Sequence, residues 1–563
     1  MRAGRLEEAG ALANRVRHSI IRRNKLHLRH VNTRQCAKEA WTKVRQLTQS
    51  KGIPAVPDGL TAQVLNNHYA AISGDSNYNA PPAKLSVSFP CCYVTELEVF
   101  RMLSHLKPTA AGLDLLPAWF IRLGAPAFAA PLAELFNQSL SHGIVPQQWK
   151  QAWISPIPKV AYPALASDYR PISVTSVLSR TMERLVVRHY VYPALLRPAT
   201  GLNFTDQFAF RPTGSTDAAL ITLFHTVLTL LSTQPFVRVF SLDFSKAFDS
   251  VRHSTLMEKM AKLDLPDDVY NWINDFFSGH SHCTKFQNSV SDLVNILASV
   301  IQGSAIGPAS FVVTASDLQP LHPGNSIVKF ADDTYIIVAA SNSLTSTSEL
   351  TNVQTWADKN NLKLNCSKSR EIIFAGRRGR ASAVTFPPPC MGISQVSTIT
   401  ALGVIVNDKL TAVDHVSSLL AKCSSSLYAM RVLREHGLPT RSLHDVFRAT
   451  VIAKITYCAP AWSGLCSAND RARLDAFLRR SKRYGYCDPT TVPTIADLFN
   501  SADSTLFRKT INNDTHVLRS LFPENKAVTY SLRARTHNLT LSCKAPHVDS
   551  RSFITRMTYK DTY

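Results

Sequence analysis

Asp243, Asp332 and Asp333 are the side chains of this sequence best suited to do chemistry. Asp243 ends a β-type run, PFVRVFSLDF over 235–244. Asp332 and Asp333 stand together in SIVKFADDTYIIVAA over 326–340, between two apolar β-type runs. Carboxylates that converge from neighbouring strands can hold divalent metal ions. Two such ions about 3.5–4 Å apart activate a 3′-hydroxyl and steady the leaving pyrophosphate when that hydroxyl is joined to an α-phosphate. Mg²⁺ prefers oxygen ligands and keeps several waters, so two or three carboxylates suffice. On a regular strand Asp332 and Asp333 would face opposite ways. A turn at this point relaxes that rule and lets at least the first meet Asp243. Any one of these aspartates alone is more often a turn former or a helix cap. A pair flanked by apolar strands resists that explanation, because burying unpaired carboxylates is costly.

The elements that must position them can be read from periodicity. Alternation in 235–244 predicts a strand that delivers Asp243 at its far end, and 326–340 predicts a hairpin with the Asp pair at its tip. Between them, Ser254 opens a helix with Leu256, Met257, Met260 and Leu263 on one side, stopped by Pro266. Asp267 is placed to cap a second helix, which carries Val269, Tyr270, Ile273 and Phe276 and ends at Gly279. After the hairpin, Ser346 and Glu349 suggest a capping box for a helix bearing Leu350, Val353 and Trp356. Beyond about Lys409 the pattern becomes helix after helix, including an Arg-rich stretch over Asn469–Tyr484 with Leu474, Phe477 and Leu478 inside. Upstream, the first ninety or so residues read as basic and helical, with a short amphipathic helix around Ala40, Trp41, Val44 and Leu47. Gly74–Pro90 reads as a linker. After about Arg508 the pattern is too weak to assign.

With 563 residues, the chain has room for roughly two to four domains. Hydrophobic residues make up 45%, enough for a sizeable core. Lys and Arg number 62 against 40 Asp and Glu, a net charge of +22, which favours a polyanionic partner such as nucleic acid over a merely solvated basic surface. The eleven cysteines form no Cys-x-x-Cys pair, so neither a zinc knuckle nor a disulfide framework is expected, and a reducing compartment is. No apolar secretion core opens the sequence, and no uninterrupted apolar run reads as a bilayer span. The expectation is a soluble protein of the cytoplasm or nucleus, with no membrane partner.

With Phe330-Ala331-Asp332-Asp333 at the hairpin and Leu242-Asp243-Phe244-Ser245-Lys246-Ala247-Phe248-Asp249 at the strand end, the chain resembles reverse transcriptases of the non-LTR, LINE-type retrotransposon branch. The first run is similar to their metal-binding box, and the second to their first catalytic box. The remaining boxes follow in the family order. Arg170-Pro171-Ile172-Ser173 precedes Phe210-Arg211-Pro212-Thr213-Gly214-Ser215-Thr216-Asp217, and Gln302-Gly303-Ser304-Ala305-Ile306-Gly307-Pro308 follows the first catalytic box. Leu362-Lys363-Leu364-Asn365-Cys366-Ser367-Lys368 and Leu402-Gly403-Val404 come after the hairpin. The resemblance runs from about Gly143 to Val406 and more loosely to about Tyr486.

The resemblance implies an α/β right-hand polymerase: fingers, a palm with a small antiparallel sheet, and a helical thumb, preceded by a helical N-terminal extension. Residues 1–93 would be extension and linker, 138–407 fingers and palm, 408–490 thumb, and 491–563 an unassigned C-terminal extension. The implied activity is RNA-directed DNA polymerisation, with Mg²⁺ (Mn²⁺ as the alternative), an RNA template, a DNA primer and dNTP. Asp243 and Asp332 would ligate both metals, Asp333 would support or ligate one, and the Phe244 carbonyl would be a further ligand. Phe248 matches the steric gate that excludes a ribose 2′-hydroxyl, against ordinary core packing.

Gln302 and Gly303 match the loop that lies against the incoming nucleotide. Glycines at 303 and 307 would permit close backbone approach and a sharp turn into a helix started by Pro308. Lys159, Arg170 and Arg211 would lie on the fingers, where one or two of them grip the triphosphate. Lys368 matches a position proposed to protonate pyrophosphate, with a solvated surface lysine as the competing reading. The helix Arg471–Arg483 would track duplex phosphates or be a solvated face.

Only about 135 residues precede the first boxes, too few for the endonuclease such elements usually carry. The sequence shows neither a zinc knuckle nor an RNase H carboxylate set. The expectation is a truncated element product whose endonuclease is supplied elsewhere. The competing reading is a decayed or co-opted nucleic-acid-binding protein that keeps the fold; a maturase, a telomerase-like relative or an RNA-templated RNA polymerase would share the carboxylates.

Overall fold

The computed structural model describes residues 2–28, 59–85, 93–376, 385–488, 490–525, 537–541 and 551–560. The amphipathic helix expected around Trp41 and the end of the linker lie outside them.

The strands that frame the site are β1 (Gln151–Pro158), β2 (Tyr169–Val174), β3 (Phe236–Leu242), β4 (Ser281–Phe286), β5 (Ser326–Phe330), β6 (Asp333–Ala339) and β7 (Arg370–Ala375). β3 lies inside an antiparallel sheet, with β6 and β5 to one side and β7 to the other. β-Branched and aromatic residues dominate these strands, and alternation sends successive side chains to opposite faces. Phe240, Leu242, Ile336 and Val338 enter one core with the helices His253–Met260, Asp267–Phe277, Gly307–Thr314 and Ser346–Lys359. Val237, Val239, Tyr335, Ile337, Ile372 and Phe374 enter a second core on the opposite face. Each fully buried side chain of this size contributes about 1.5–3 kcal/mol. Two-sided burial is what holds β3 and β6, and so the ends that carry the carboxylates, in one register.

The second core is formed by the helix Thr216–Thr233 and the C-terminal helices Val413–Glu435, Thr440–Phe447, Ala468–Arg483, Ile495–Ile511 and Phe553–Thr558. Thr216–Thr233 is long and apolar enough to cross a membrane by length and composition, although Asp217 and His225 interrupt its apolar run. Its apolarity has another use here: Ala218, Leu220, Ile221, Phe224, Val227 and Leu228 are buried in that core. Ile495–Ile511 packs on Ala468–Arg483 and Ala459–Trp462, so the weakly patterned stretch after Arg508 follows a helix that already belongs to the thumb-side core.

A second sheet lies beside this one. β1 pairs antiparallel with β2 and parallel with β4. The helix Ala62–Ile72 packs on β4, and Leu65, Tyr69 and Ile154 share a third, small core. The stretch after it is a strap, not a free linker: Lys84 N–H donates to Asn271, and the Pro81 and Pro82 carbonyls accept from Asn274 and Tyr270. Helices Glu96–Ser104 and Ala125–Ser141 place Val99, Leu103 and Phe136 in the first core beside the palm.

Two expected caps are corrected. Asp267 is the first residue of its helix, after Pro266, and makes no cap bond. Glu349 does not cap Ser346–Lys359; it accepts from the N–H groups of Leu321 and His322 and from Asn325, holding the turn before β5.

Candidate active site

β3 ends at Leu242, opposite Thr334 of β6, so the next residues, Asp243 and Asp333, continue the same antiparallel register. Phe330 pairs with Asp333, which leaves Ala331 and Asp332 as the two-residue tip of the hairpin. Ala331 has φ +57°, in the left-handed region, and this kink is the local turn that releases Asp332 from strand alternation. All three carboxylates now face one another electrostatically. Burial raises the Asp332 carboxyl, and Asp243 raises it further. Asp333 is pushed up to about 6, by burial first and then by Asp332 and Asp243. Its side chain still touches solvent, so the crowding of like charges is the firmer cause.

The backbone of Asp243 is pinned on both sides. Its N–H donates to Ser369 Oγ at 3.1 Å and its carbonyl accepts from the Asn365 N–H at 2.8 Å. Phe244 follows, buried and paired with Leu364. The turn that holds Asp243 thus comes from the box Leu362–Lys368 and from Ser369, which follows it.

The donor set is what a hard divalent cation requires: acidic oxygens that repel one another until a cation arrives. Among the described residues no group of three or more His, Cys, Asp or Glu side chains is arranged so that it alone could hold a metal ion. Such self-sufficiency is not needed where waters and substrate phosphates complete the shell.

A cationic group faces the carboxylates. Lys159 and Arg170 stand at the tip of the β1–β2 hairpin, where Lys159 N–H donates to the Asp168 carbonyl at 2.7 Å and its Nζ to the Ser167 carbonyl at 2.8 Å. Lys159 is lowered by burial, then by Arg170 and Lys368, against the pull of Asp249. Lys246 is lowered by burial and by Lys159. Arg170 also acts on Asp332. Lys159, Arg170, Lys246 and Lys368 therefore form one field of like charge beside the acidic centre, a natural seat for a polyanion. Asp249, on the short helix after Lys246, is the counter-charge; burial raises it to about 6 while Lys246 and Lys159 oppose the shift. His68 is lowered by burial and by Lys246 and Lys159, so the helix Ala62–Ile72 reaches this field too. Lys246, Asp249 and His68 were missed as site residues. Lys246 and Asp249 stood inside a recognised box; nothing in the sequence singled out His68.

Arg211 is a correction. It does not join the cationic field: its guanidinium donates to the carbonyls of Phe204 and Gln207, and burial lowers it. Both bonds leave Nη1, and the guanidinium is here a brace for its own loop.

Phe248 stacks on Phe311 at 4.5 Å between centroids and takes the edge of Phe210 at 6.1 Å. It is partly buried and packs against the first core. Phe210 is 40% exposed and left-handed at φ +54°, a second ring that the sequence did not single out.

Gln302 and Gly303 dock on β2. Ser173 N–H donates to the Gln302 carbonyl at 2.9 Å, and Gly303 has φ +126°. A Cβ at 303 would sit 2.1 Å from the Ser173 carbonyl oxygen. At Gly307 a Cβ would meet the Val300 carbonyl at 2.1 Å, and Pro308 begins the helix as expected. Buried Glu183 accepts from the N–H groups of Ala305 and Ile306 and fixes the loop from behind.

On the thumb side, Arg471 and Lys482 are tied to the carbonyls of Ser463 and Val492, and Arg473 to Ser417. Arg479, Arg480 and Arg483 remain exposed.

Residues 157–406 match the family described as reverse transcriptase (RNA-dependent DNA polymerase). The chain is 29% identical over 346 residues to the RNA-directed DNA polymerase from mobile element jockey of Drosophila melanogaster, covering 59% of this chain and 37% of that protein. It is 28% identical over 298 residues to the probable RNA-directed DNA polymerase from transposon X-element of the same fly, covering 51% of this chain and 32% of that protein. The Pol polyprotein from retrotransposable element R2 of Popillia japonica is 25% identical over 287 residues, covering 48% of this chain and 38% of the polyprotein. The chain thus spans well under half the length of these relatives. Among solved structures, Sicinivirus 3Dpol RNA-dependent RNA polymerase aligns with TM-score 0.41 and 13% identity, over 82% of this chain and 89% of that one. Apo telomerase from Candida Tropicalis aligns with TM-score 0.34 and 13% identity, over 70% of this chain and 72% of that one.

Proposed function

We propose, on the premise that residues 157–406 are a reverse transcriptase domain related to those of non-LTR retrotransposons, that this chain extends a DNA primer along an RNA template. The observation that carries the reading is the strand register that brings Asp243, at the end of β3, beside the Asp332–Asp333 tip of the β5–β6 hairpin, with Arg170 of the neighbouring hairpin acting on Asp332. Asp243 and Asp332, with Asp333 beside them, would hold Mg²⁺ or Mn²⁺. When bound, such ions lower the pKa of a primer hydroxyl and neutralise charge on the leaving phosphates.

The protein's own residues do the rest. Lys159 and Arg170 draw the triphosphate to the fingertip, and Lys246 adds to the field. Lys368 lies in the same field, where an ammonium can hand a proton to pyrophosphate. The Gln302–Gly303 loop closes on β2 and fixes where base and sugar can lie. Phe248, backed by Phe311, walls the sugar and excludes a 2′-hydroxyl. Arg479, Arg480 and Arg483 follow duplex phosphates. Holding hydroxyl and α-phosphate in line is the main contribution expected of such a site.

The test is primer extension on poly(rA)/oligo(dT) with dTTP and Mg²⁺ or Mn²⁺. Metal-dependent synthesis by wild type, absent in Asp332→Asn, supports the reading. Duplex binding with no synthesis under any of these conditions contradicts it for the isolated chain and favours a binding role.

A further inference from the structure

The tip of the Asp332–Asp333 hairpin is held from outside by a side chain that none of the site's expected chemistry uses. The segment 206–208 runs along the outer edge of β5: Lys329 N–H donates to the Asp206 carbonyl at 2.7 Å, and Phe208 N–H to the Lys329 carbonyl at 2.9 Å. Gln207, between them, is 1% exposed. Its Oε1 accepts from the Ala331 N–H and from the Ala209 N–H, each at 3.0 Å. Both partners are donors, so only the oxygen can face them and the amide has one orientation. Its Nε2 is buried with no hydrogen-bond partner, so the position uses the acceptor alone.

Two further observations give this contact its meaning. Ala331 holds the left-handed φ that turns Asp332 out of strand alternation, a conformation alanine does not keep without support. The loop that presents Gln207 is braced twice over. Arg211 donates to the carbonyls of Phe204 and Gln207, and buried Lys329 reaches Asp206 at 3.0 Å and the carbonyls of Ala315 and Leu318 at 2.7 and 2.9 Å. An anchor this rigid, aimed at one N–H of a strained two-residue tip, controls where the next residue points.

We infer that Gln207 is a positioning residue for the catalytic centre: its amide oxygen locks the Ala331 peptide and thereby sets the aim of Asp332 and Asp333. This rests on the polymerase reading above and adds to it a residue that touches neither substrate nor metal. The same chain of contacts gives Arg211 a purpose, since its brace keeps Gln207 in place.

Gln207→Met fills the space without an acceptor. Gln207→Glu keeps the acceptor oxygen and can carry a proton on the other. The inference predicts that the Met variant loses about 10–100-fold in kcat, as a misplacement near 1 Å allows. Its dNTP KM and primer–template Kd stay within about twofold, because those contacts are elsewhere. Burst amplitude should show a wild-type fraction of active molecules, each slower, and Gln207→Glu should recover most of kcat. Hydrogen–deuterium exchange over 328–335 should speed about tenfold in the Met variant and return with Glu.

A Met variant with unchanged exchange overturns the anchor, whatever its activity. Faster exchange with wild-type kcat overturns the positioning role. A reduced active fraction with normal kcat per active molecule would make Gln207 merely structural. If wild type itself makes no DNA, the polymerase reading fails, while the exchange data still decide whether Gln207 holds the tip.

Discussion

Replacing Gly303 by alanine should cripple nucleotide incorporation while leaving the protein folded. The new Cβ would lie 2.1 Å from the Ser173 carbonyl oxygen. Ordinary contact begins near 3.4 Å, so the loop or β2 must move by about 1 Å, and neither partner is a flexible side-chain end. Residue 303 must also hold φ +126°, which L side chains rarely adopt. A strained position of this kind costs about 1–3 kcal/mol of stability. A shift of about 1 Å in a substrate-positioning loop costs about 10²-fold in rate, or near 2.7 kcal/mol of barrier.

Gly279→Ala is the matched control: φ is +66°, yet nothing lies within 4 Å of the added Cβ. It should carry backbone strain alone, about 1 kcal/mol, with activity unchanged. Single-nucleotide incorporation on an RNA template gives kcat/KM for both variants, and thermal melting gives stability. If Gly303→Ala stays within about threefold of wild type, the docking of this loop on the fingers does not position the nucleotide and the reasoning fails.

Phe248→Val should admit ribonucleotides, measured as the ratio of dTTP to UTP incorporation; an unchanged ratio would return Phe248 to a packing role. Arg170→Ala should raise the KM for dNTP about tenfold, as loss of a charge-assisted phosphate contact implies, whereas Arg211→Ala should leave KM nearly unchanged and lower kcat and stability. Equal KM effects would refute the division of labour between them. Asp333→Asn should stabilise the metal-free protein at pH 7.5. A carboxyl raised to about 6 binds its proton more tightly in the fold than in the unfolded chain, where it titrates near 3.9. Its contribution to stability is therefore present at low pH and lost as pH rises through about 6, discounted because the side chain touches solvent. The gain in melting temperature should shrink between pH 7 and pH 5, and a gain that grows instead would invert the sign.

The chemistry-bearing strands were legible because their pattern is local. The 235–244 alternation and the 326–340 hairpin became β3 and β5–β6 with the aspartates at the ends. Gly303 and Gly307 were legible for a similar reason: glycines flanking a Gln-Gly-x-x-x-Gly-Pro turn announce close backbone approach, here to Ser173 and Val300. Caps misled because side-chain competition is not local. Glu349 sits three residues after Ser346, as a capping box asks, but finds better donors at Leu321 and His322. Arg211 misled because an Arg-Pro step says nothing of direction, and the guanidinium turned inward to Phe204 and Gln207. Gln207 and Glu183 could not be seen at all. Each acts on a peptide group more than a hundred residues away in sequence, and only the fold brings donor and acceptor together.

The most direct test of the central claim pairs synthesis with binding for one substitution. Wild type and Asp332→Asn are compared in the same buffer for dTTP incorporation on poly(rA)/oligo(dT) with Mg²⁺ and for duplex affinity. The variant should lose synthesis by at least about 10³-fold, with affinity within about threefold, since the carboxylate serves the transition state and the duplex is held by phosphate contacts elsewhere. Near-normal synthesis by Asp332→Asn would show that the hairpin tip is not the metal site and that the meeting of Asp243, Asp332 and Asp333 has another cause.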